Sequence, residues 1–180
     1  MSKRHENAFL TAPVTAADHT LGPAGAPVAL VEYGDFECPH CRRAHPIVQE
    51  VRRRLGSRLR FVFRNFPLTN VHPHAQHAAE VAEAAGAQGK FWEMHDRLFE
   101  RQFALQDEDL LEYAGDLGLD AAAVGRALAA RTYKDKVRDD FMGGVRSGVN
   151  GTPTFYVNDV RFDGTWDPDP LTAALERAAG

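Results

Sequence analysis

The chain holds two cysteines, set two residues apart in Cys38-Pro39-His40-Cys41. Thiols at this spacing can close into a disulfide and reopen, so the chemistry they suggest first is exchange with other thiols and disulfides. A purely structural disulfide here would close a loop too short to stabilise a domain of this length by much. A zinc site would need a further pair of Cys or His ligands at matching spacing, and there is no third cysteine. Redox exchange is therefore the leading expectation. A metal-binding or redox-sensor module built from the cysteines and histidines is its alternative. No metal ligand and no cofactor are assigned.

The flanking pattern sets how reactive the pair should be. Upstream, Pro27-Val28-Ala29-Leu30-Val31-Glu32-Tyr33 is a nearly unbroken apolar run, as expected of a central strand covered on both faces. Downstream, Ala44, Ile47, Val48, Val51 and Leu55 recur at three- and four-residue steps, while Arg42, Arg43, Arg52 and Arg53 fall mostly off that stripe. That spacing predicts an amphipathic helix. The thiols then lie at a helix N-terminus, where free backbone N–H groups and the positive end of the dipole stabilise an anion. A thiol there should titrate below its free value of about 8.5. Cys38, at an exposed first position, is the expected nucleophile, and Cys41, a turn in, the shielded resolving thiol. Pro39 suits a first turn that has no use for its missing N–H. His40, protonated or donating, would favour the Cys38 thiolate further. A stabilised thiolate means a more oxidising disulfide.

The remaining elements must position this pair. Residues 1–26, with Pro13, Gly22, Pro23 and Gly25, read as an irregular arm that packs on a sheet edge, and residues 27–180 as one domain. A strand over 28–33 and a helix over 39–55, kinked at Pro46, lead to a second strand in Arg60-Phe61-Val62-Phe63-Arg64-Asn65-Phe66. Together they make a β-α-β unit with a parallel pair. Residues 67–149 are helical throughout. An Ala-rich helix over 75–85 is stopped by Gly86 and Gly89, and Phe91, Met94, His95 and Leu98 form the apolar face of the next. Asp107 and Asp120 read as N-caps, with Gly118 as a stop between them. Val137, Phe141 and Val145 mark a last helix that ends near Gly148. Beyond Gly151-Thr152-Pro153, Thr154-Phe155-Tyr156-Val157 and Val160-Arg161-Phe162 flank Asn158-Asp159, a hairpin signal. A closing helix over 167–179 turns Leu171, Ala174, Leu175 and Ala178 inward.

With 180 residues, 44% hydrophobic, the chain can bury one good core. Its net charge of −4 calls for no nucleic acid. Charge is uneven: residues 42–64 carry eight arginines against Glu50, and residues 80–120 carry eleven acids against Lys90, Arg97 and Arg101. Solvated helix faces are the ordinary meaning of such runs. Residues 1–20 contain no apolar stretch of signal-peptide length, and no membrane span follows, so the expected compartment is the cytoplasm. That compartment keeps most thiols reduced and sits awkwardly with an oxidising pair.

The order β-α-β, helices, β-β-α is that of the thioredoxin fold, an α/β fold, with a multi-helix insertion between the second strand and the loop at Pro153. Over roughly residues 20–178 the chain resembles the DsbA-like branch of the thioredoxin superfamily. Cys38-Pro39-His40-Cys41 has the dipeptide of DsbA-type oxidants, and Pro46 stands where thioredoxin-like active-site helices kink. Gly151-Thr152-Pro153-Thr154 looks like the family's cis-proline loop, and the insertion falls where DsbA-like proteins carry theirs. The resemblance implies a protein thiol–disulfide oxidoreductase acting on thiol- or disulfide-containing protein substrates; its redox partner is left unidentified, with glutathione and a thioredoxin system as the candidates. It implies that Thr152, before a cis Pro153, offers its backbone to an extended substrate strand. The Pro-His dipeptide implies a potential more oxidising than thioredoxin's. Whether the protein works as oxidase, reductase or isomerase stays open.

Glu32 interrupts the first strand six residues before Cys38, where related proteins often hold a buried acid. Buried, its carboxyl would titrate high and could exchange a proton with Cys41. At an edge, it would be hydrated and idle. Glu37 would oppose the thiolate if its charge lay close. His72, His74 and His77 read as a surface cluster at a helix start, with metal binding as the alternative. Phe36, Phe66, Phe91 and Trp92 read as core, or as an apolar rim beside the thiols. The kappa-class glutathione transferases and hydroxychromene carboxylate isomerases share the inserted fold, but typically present serine where Cys38 stands.

Overall fold

A computed structural model of the protein describes residues 9–180; the polar stretch 1–8 read for a leader lies outside the described residues. Its first strand is one that the arm conceals: β1 (His19–Leu21) runs antiparallel to residues 59–65, with His19 opposite Phe63 and Leu21 opposite Phe61. Three half-buried residues carry too little periodicity to announce a strand. β2 (Val28–Gly34), α1 (Pro39–Leu55) and β3 (Leu59–Asn65) form the β-α-β unit, with β2 and β3 parallel from Val28 opposite Leu59 to Gly34 opposite Asn65. β4 (Thr154–Val157) and β5 (Val160–Phe162) turn through Asn158 at φ 53°. The five-stranded sheet runs β1-β3-β2-β4-β5.

Between β3 and β4 lie α2 (Ala75–Ala87), α3 (Phe91–Glu100), α4 (Asp107–Asp116), α5 (Ala121–Ala129) and α6 (Lys134–Arg146); α7 (Pro168–Ala179) closes the chain. Alternation along the strands divides the interior in two. Val28, Leu30, Phe61, Phe63 and Phe155 face the larger core, shared with α1, the insertion and α7. Val31, Tyr33, Val62 and Tyr156 face a smaller one with Leu10, Phe66, Val149 and Phe141. Phe66 stacks on Phe141 of α6 at 4.2 Å between ring centroids.

A buried arginine fastens the arm to the sheet. Arg64 of β3 is 4% exposed and donates to both carboxylate oxygens of Asp18, at 2.8 and 3.0 Å. It also donates to the carbonyls of Ala12 and Pro13 and to the Tyr33 hydroxyl. A guanidinium so deep needs every one of those acceptors.

Four local expectations are corrected. The Ala-rich helix passes Gly86 and ends at Ala87, because Gly86 is a packing position: a Cβ there would lie 3.0 Å from the His19 ring. The N-cap of α4 is Gln106, whose N–H donates to Asp109 at 3.0 Å, while Asp107 lies inside the helix with its carboxylate taken by His77 at 2.7 Å. Val145 is exposed, since α6 buries Val137, Gly143 and Gly144 instead. Ala178 also faces solvent, and Ala179 packs in its place.

Candidate active site

The period of two along β2 aims Glu32 at the same side as Leu30, between Phe63 of β3 and Phe155 of β4. It is 2% exposed, and its Oε1 has no hydrogen-bond partner. Burial first, and then the Cys38 charge, push its pKa up to about 8. Gly34 makes the room, because a Cβ there would lie 2.5 Å from the Phe63 ring and 3.2 Å from Glu32 Oε1.

Two polar residues that the sequence did not single out shape the loop between β2 and α1. Asp35 is 1% exposed, and its carboxylate accepts from the N–H groups of Glu37 and Leu68 and from His72 Nδ1, each at 2.8 Å. Its carbonyl accepts from Cys38 N–H at 3.1 Å. Gln102, buried between α3 and α4, donates from Nε2 to the carbonyls of Phe36 at 2.8 Å and Cys38 at 2.9 Å. The loop is thus held from the sheet and from the insertion together.

Cys38 is the N-cap residue of α1, with φ −74° and ψ 122°, and Pro39 opens the helix. The expected exposure is corrected: Cys38 is 3% exposed, and Cys41 is fully buried. The two thiols are free and differ sharply. A hydrogen bond from the Cys41 thiol, helped by Thr152 and by the backbone N–H groups of Cys41 and His40, brings Cys38 down to about 5 against the cost of burial. Burial, then the proton that it lends Cys38 and the charge of Glu32, holds Cys41 well above the ordinary thiol value. Cys41 Sγ accepts one N–H, from Asp35 at 3.4 Å.

Thr152 reaches the pair from the far end of the chain. The Thr152–Pro153 bond is cis, and the Thr152 carbonyl accepts from the Cys38 thiol at 3.6 Å. The Thr152 hydroxyl is buried with no hydrogen-bond partner among the described residues, and is free to turn to a Cys38 thiolate.

The other expected residues fall as follows. The His40 ring is exposed, and the part of His40 that acts on Cys38 is its backbone N–H, not its imidazole. The Glu37 carboxylate is occupied by His74 N–H at 2.7 Å. His72 and His77 bond to separate acids, Asp35 and Asp107, and do not converge on one point. Phe36, Phe66 and Phe91 are core residues, and Trp92 packs against the core.

This arrangement has known counterparts. Residues 14–177 match the family model described as Thioredoxin. BdbD from Bacillus subtilis in its oxidised form superposes with a TM-score of 0.84 at 25% identity, over 93% of this chain and 95% of that one. A thioredoxin-like oxidoreductase from Silicibacter pomeroyi DSS-3 gives a TM-score of 0.81 at 29% identity, over 91% and 93%. The alpha-DsbA1 of Wolbachia pipientis, at 18% identity over 93% and 94%, shares the fold with a TM-score of 0.80. In sequence, the chain is 49% identical over 161 residues to the Na(+)/H(+) antiporter NhaA 1 of Salinispora arenicola, covering 89% of this chain and 24% of that protein. The chain thus spans about a quarter of the length of the curated relatives it matches. No helix among the described residues is long and apolar enough to cross a membrane. The family model spans most of the chain, and the chain belongs to the thioredoxin family.

Proposed function

We propose that the protein is a thiol–disulfide oxidoreductase that exchanges disulfides with protein substrates through Cys38 and Cys41. The observation that carries this reading is two free thiols of opposite character at one helix N-terminus, the acidic one facing the carbonyl of Thr152. In the oxidising direction a substrate thiolate attacks Cys38 Sγ of the closed pair. A mixed disulfide forms, the Cys38–Cys41 bond breaks, and the electron pair leaves on Cys41. Cys41, whose burial disfavours charge, takes a proton from the Glu32 carboxyl, whose own burial favours the protonated form. A second substrate thiolate then attacks the substrate sulfur and expels Cys38, a good leaving group because its thiolate is stable. The substrate has lost two electrons, and the protein has gained them.

The same steps reversed reduce a substrate disulfide, with Cys38 attacking and Cys41 resolving. Thr152 supplies a backbone edge that an extended substrate strand can pair with. Glutathione or a thioredoxin-type partner would reset the pair. Ion transport, the activity in the names of the longer relatives, is not carried over to this chain.

The test uses two single variants. Cys38→Ser is expected to abolish both insulin reduction and oxidative refolding of a reduced client. Cys41→Ser is expected to accumulate mixed disulfides with the client, seen on non-reducing gels. Unchanged activity in Cys38→Ser would discard the mechanism.

A further inference from the structure

About two helical turns along α1 from Cys38, His45 meets His95 and Asp96 of α3. Each of the three offers one ligand atom, and those atoms lie within 4.8 Å of one another. His95 Nδ1 is 2.9 Å from Asp96 Oδ1, and His45 Nε2 is 3.6 Å from the same oxygen. Gln49, a turn further along α1, donates its amide N–H to His45 Nε2 at 3.2 Å, so that nitrogen presents a lone pair. An ion there would take that lone pair in place of the Gln49 N–H, and would replace the proton between His95 Nδ1 and Asp96 Oδ1.

We propose that His45, His95 and Asp96 bind a divalent transition metal of the zinc class, joining α1 to α3, with water completing the shell. Tetrahedral bonds of about 2.0–2.1 Å set ligand atoms about 3.3 Å apart. Two of the three separations, 2.9 and 3.6 Å, lie within a few tenths of an ångström of that value, and the third pair of ligand atoms, on His45 and His95, lies within 4.8 Å and would have to close up. Ligation through His95 Nδ1 leaves the ring proton on Nε2, which is buried without a hydrogen-bond partner. Phe36, Phe63, Phe91, Trp92 and Phe99 surround that ring at centroid distances of 4.7–6.0 Å. They fix its orientation and offer π faces to the N–H.

Asp96 is 45% exposed along its side chain, which gives an ion a way in from solvent. Arg52 is the opposing group, since its charge acts on all three ligands. The site contains no sulfur, so it is separable from the redox pair.

The experiment uses the full chain carrying Cys38→Ser and Cys41→Ser together, so that thiols cannot bind metal. The protein is stripped with a chelator, dialysed and titrated with zinc chloride by calorimetry. One zinc per chain is expected, with affinity reduced by at least about tenfold in His45→Gln and in Asp96→Asn, and raised in Arg52→Gln. Both ligand variants change partly exposed side chains, and far-UV circular dichroism confirms that they are folded. Cobalt(II) at the site should give visible d–d bands without sulfur charge transfer. Absence of saturable zinc uptake by the thiol-free protein, or uptake untouched by both ligand substitutions, overturns the proposal.

Discussion

The sulfur of Cys38 lies 3.6 Å from the carbonyl oxygen of Thr152, 114 positions later in the chain. The carbonyl serves the thiol form alone, because a thiolate has no proton to give it. What favours the anion is the Cys41 thiol, the Thr152 side chain and the first amides of α1. A thiol and its thiolate thus use different atoms of the same neighbour.

Alkylation of the reduced protein by iodoacetamide should therefore titrate with a midpoint at about 5, and modify Cys38 before Cys41. Thr152→Val keeps the shape and removes the hydroxyl, so its midpoint should rise. Mass spectrometry of quenched samples across pH reads both. A wild-type midpoint near the free-cysteine value of about 8.5 would remove the basis for the nucleophile.

Glu32 gives the second pH dependence, with the opposite sign to a salt-bridged acid. Its folded pKa stands at about 8 against 4.5 for an ordinary Glu carboxyl, so the folded state holds the proton more tightly than the unfolded one. Stability from this group is fully present below about 4.5 and is lost as pH rises through about 8. Urea unfolding of the reduced protein should show wild type losing ground to Glu32→Gln across that window, by on the order of a few kcal/mol at its upper end. In the disulfide form the Cys38 charge is gone and the window should end at lower pH. A stability difference independent of pH would mean that the carboxyl is not held neutral.

These two residues also mark what was legible in the sequence. β2, α1 and β3 could be read because continuous apolar runs and a three-four stripe identify buried elements whatever surrounds them. Glu32 stood out because an acid inside such a run must be explained. β1 could not be read, since His19-Thr20-Leu21 owes its strand to pairing with β3 and to Gly86 leaving room for His19. Cys38 was expected in the open, but it is buried, beside Thr152 and at the end of a loop tied down by Asp35 and Gln102, whose partners are distant in sequence. His45, His95 and Asp96 escaped notice for the same reason: two helices separated in the chain bring them together.

Gln102 is a direct test of that cover. Its amide is the side-chain donor to two buried carbonyls, of Phe36 and Cys38. Gln102→Leu fills the space and takes the side-chain donor from the Phe36 carbonyl, at a cost of about 1–3 kcal/mol, while the Cys38 carbonyl keeps the Arg42 N–H at 3.1 Å. Chemical denaturation should show a lower midpoint with an unchanged slope, and Cys38 should alkylate faster at pH 7 as the loop loosens. A stable variant with unchanged alkylation would mean that Asp35 alone holds the loop.

The reduction potential of the pair depends on how far the Cys38 thiolate is stabilised. A more stable thiolate favours the reduced pair and makes the disulfide a stronger oxidant. A Cys38 value of about 5 falls between the values of about 7 for thioredoxin and about 3.5 for DsbA. The corresponding potentials are about −270 and −120 mV. Equilibration with glutathione buffers, read by trapping free thiols with a mass tag, should place this protein between those limits. Thr152→Val should move it toward the thioredoxin end, because it destabilises the thiolate without touching either cysteine. A wild-type potential at or below that of thioredoxin would make the protein a reductant, and would show that the environment of Cys41, not that of Cys38, sets the balance.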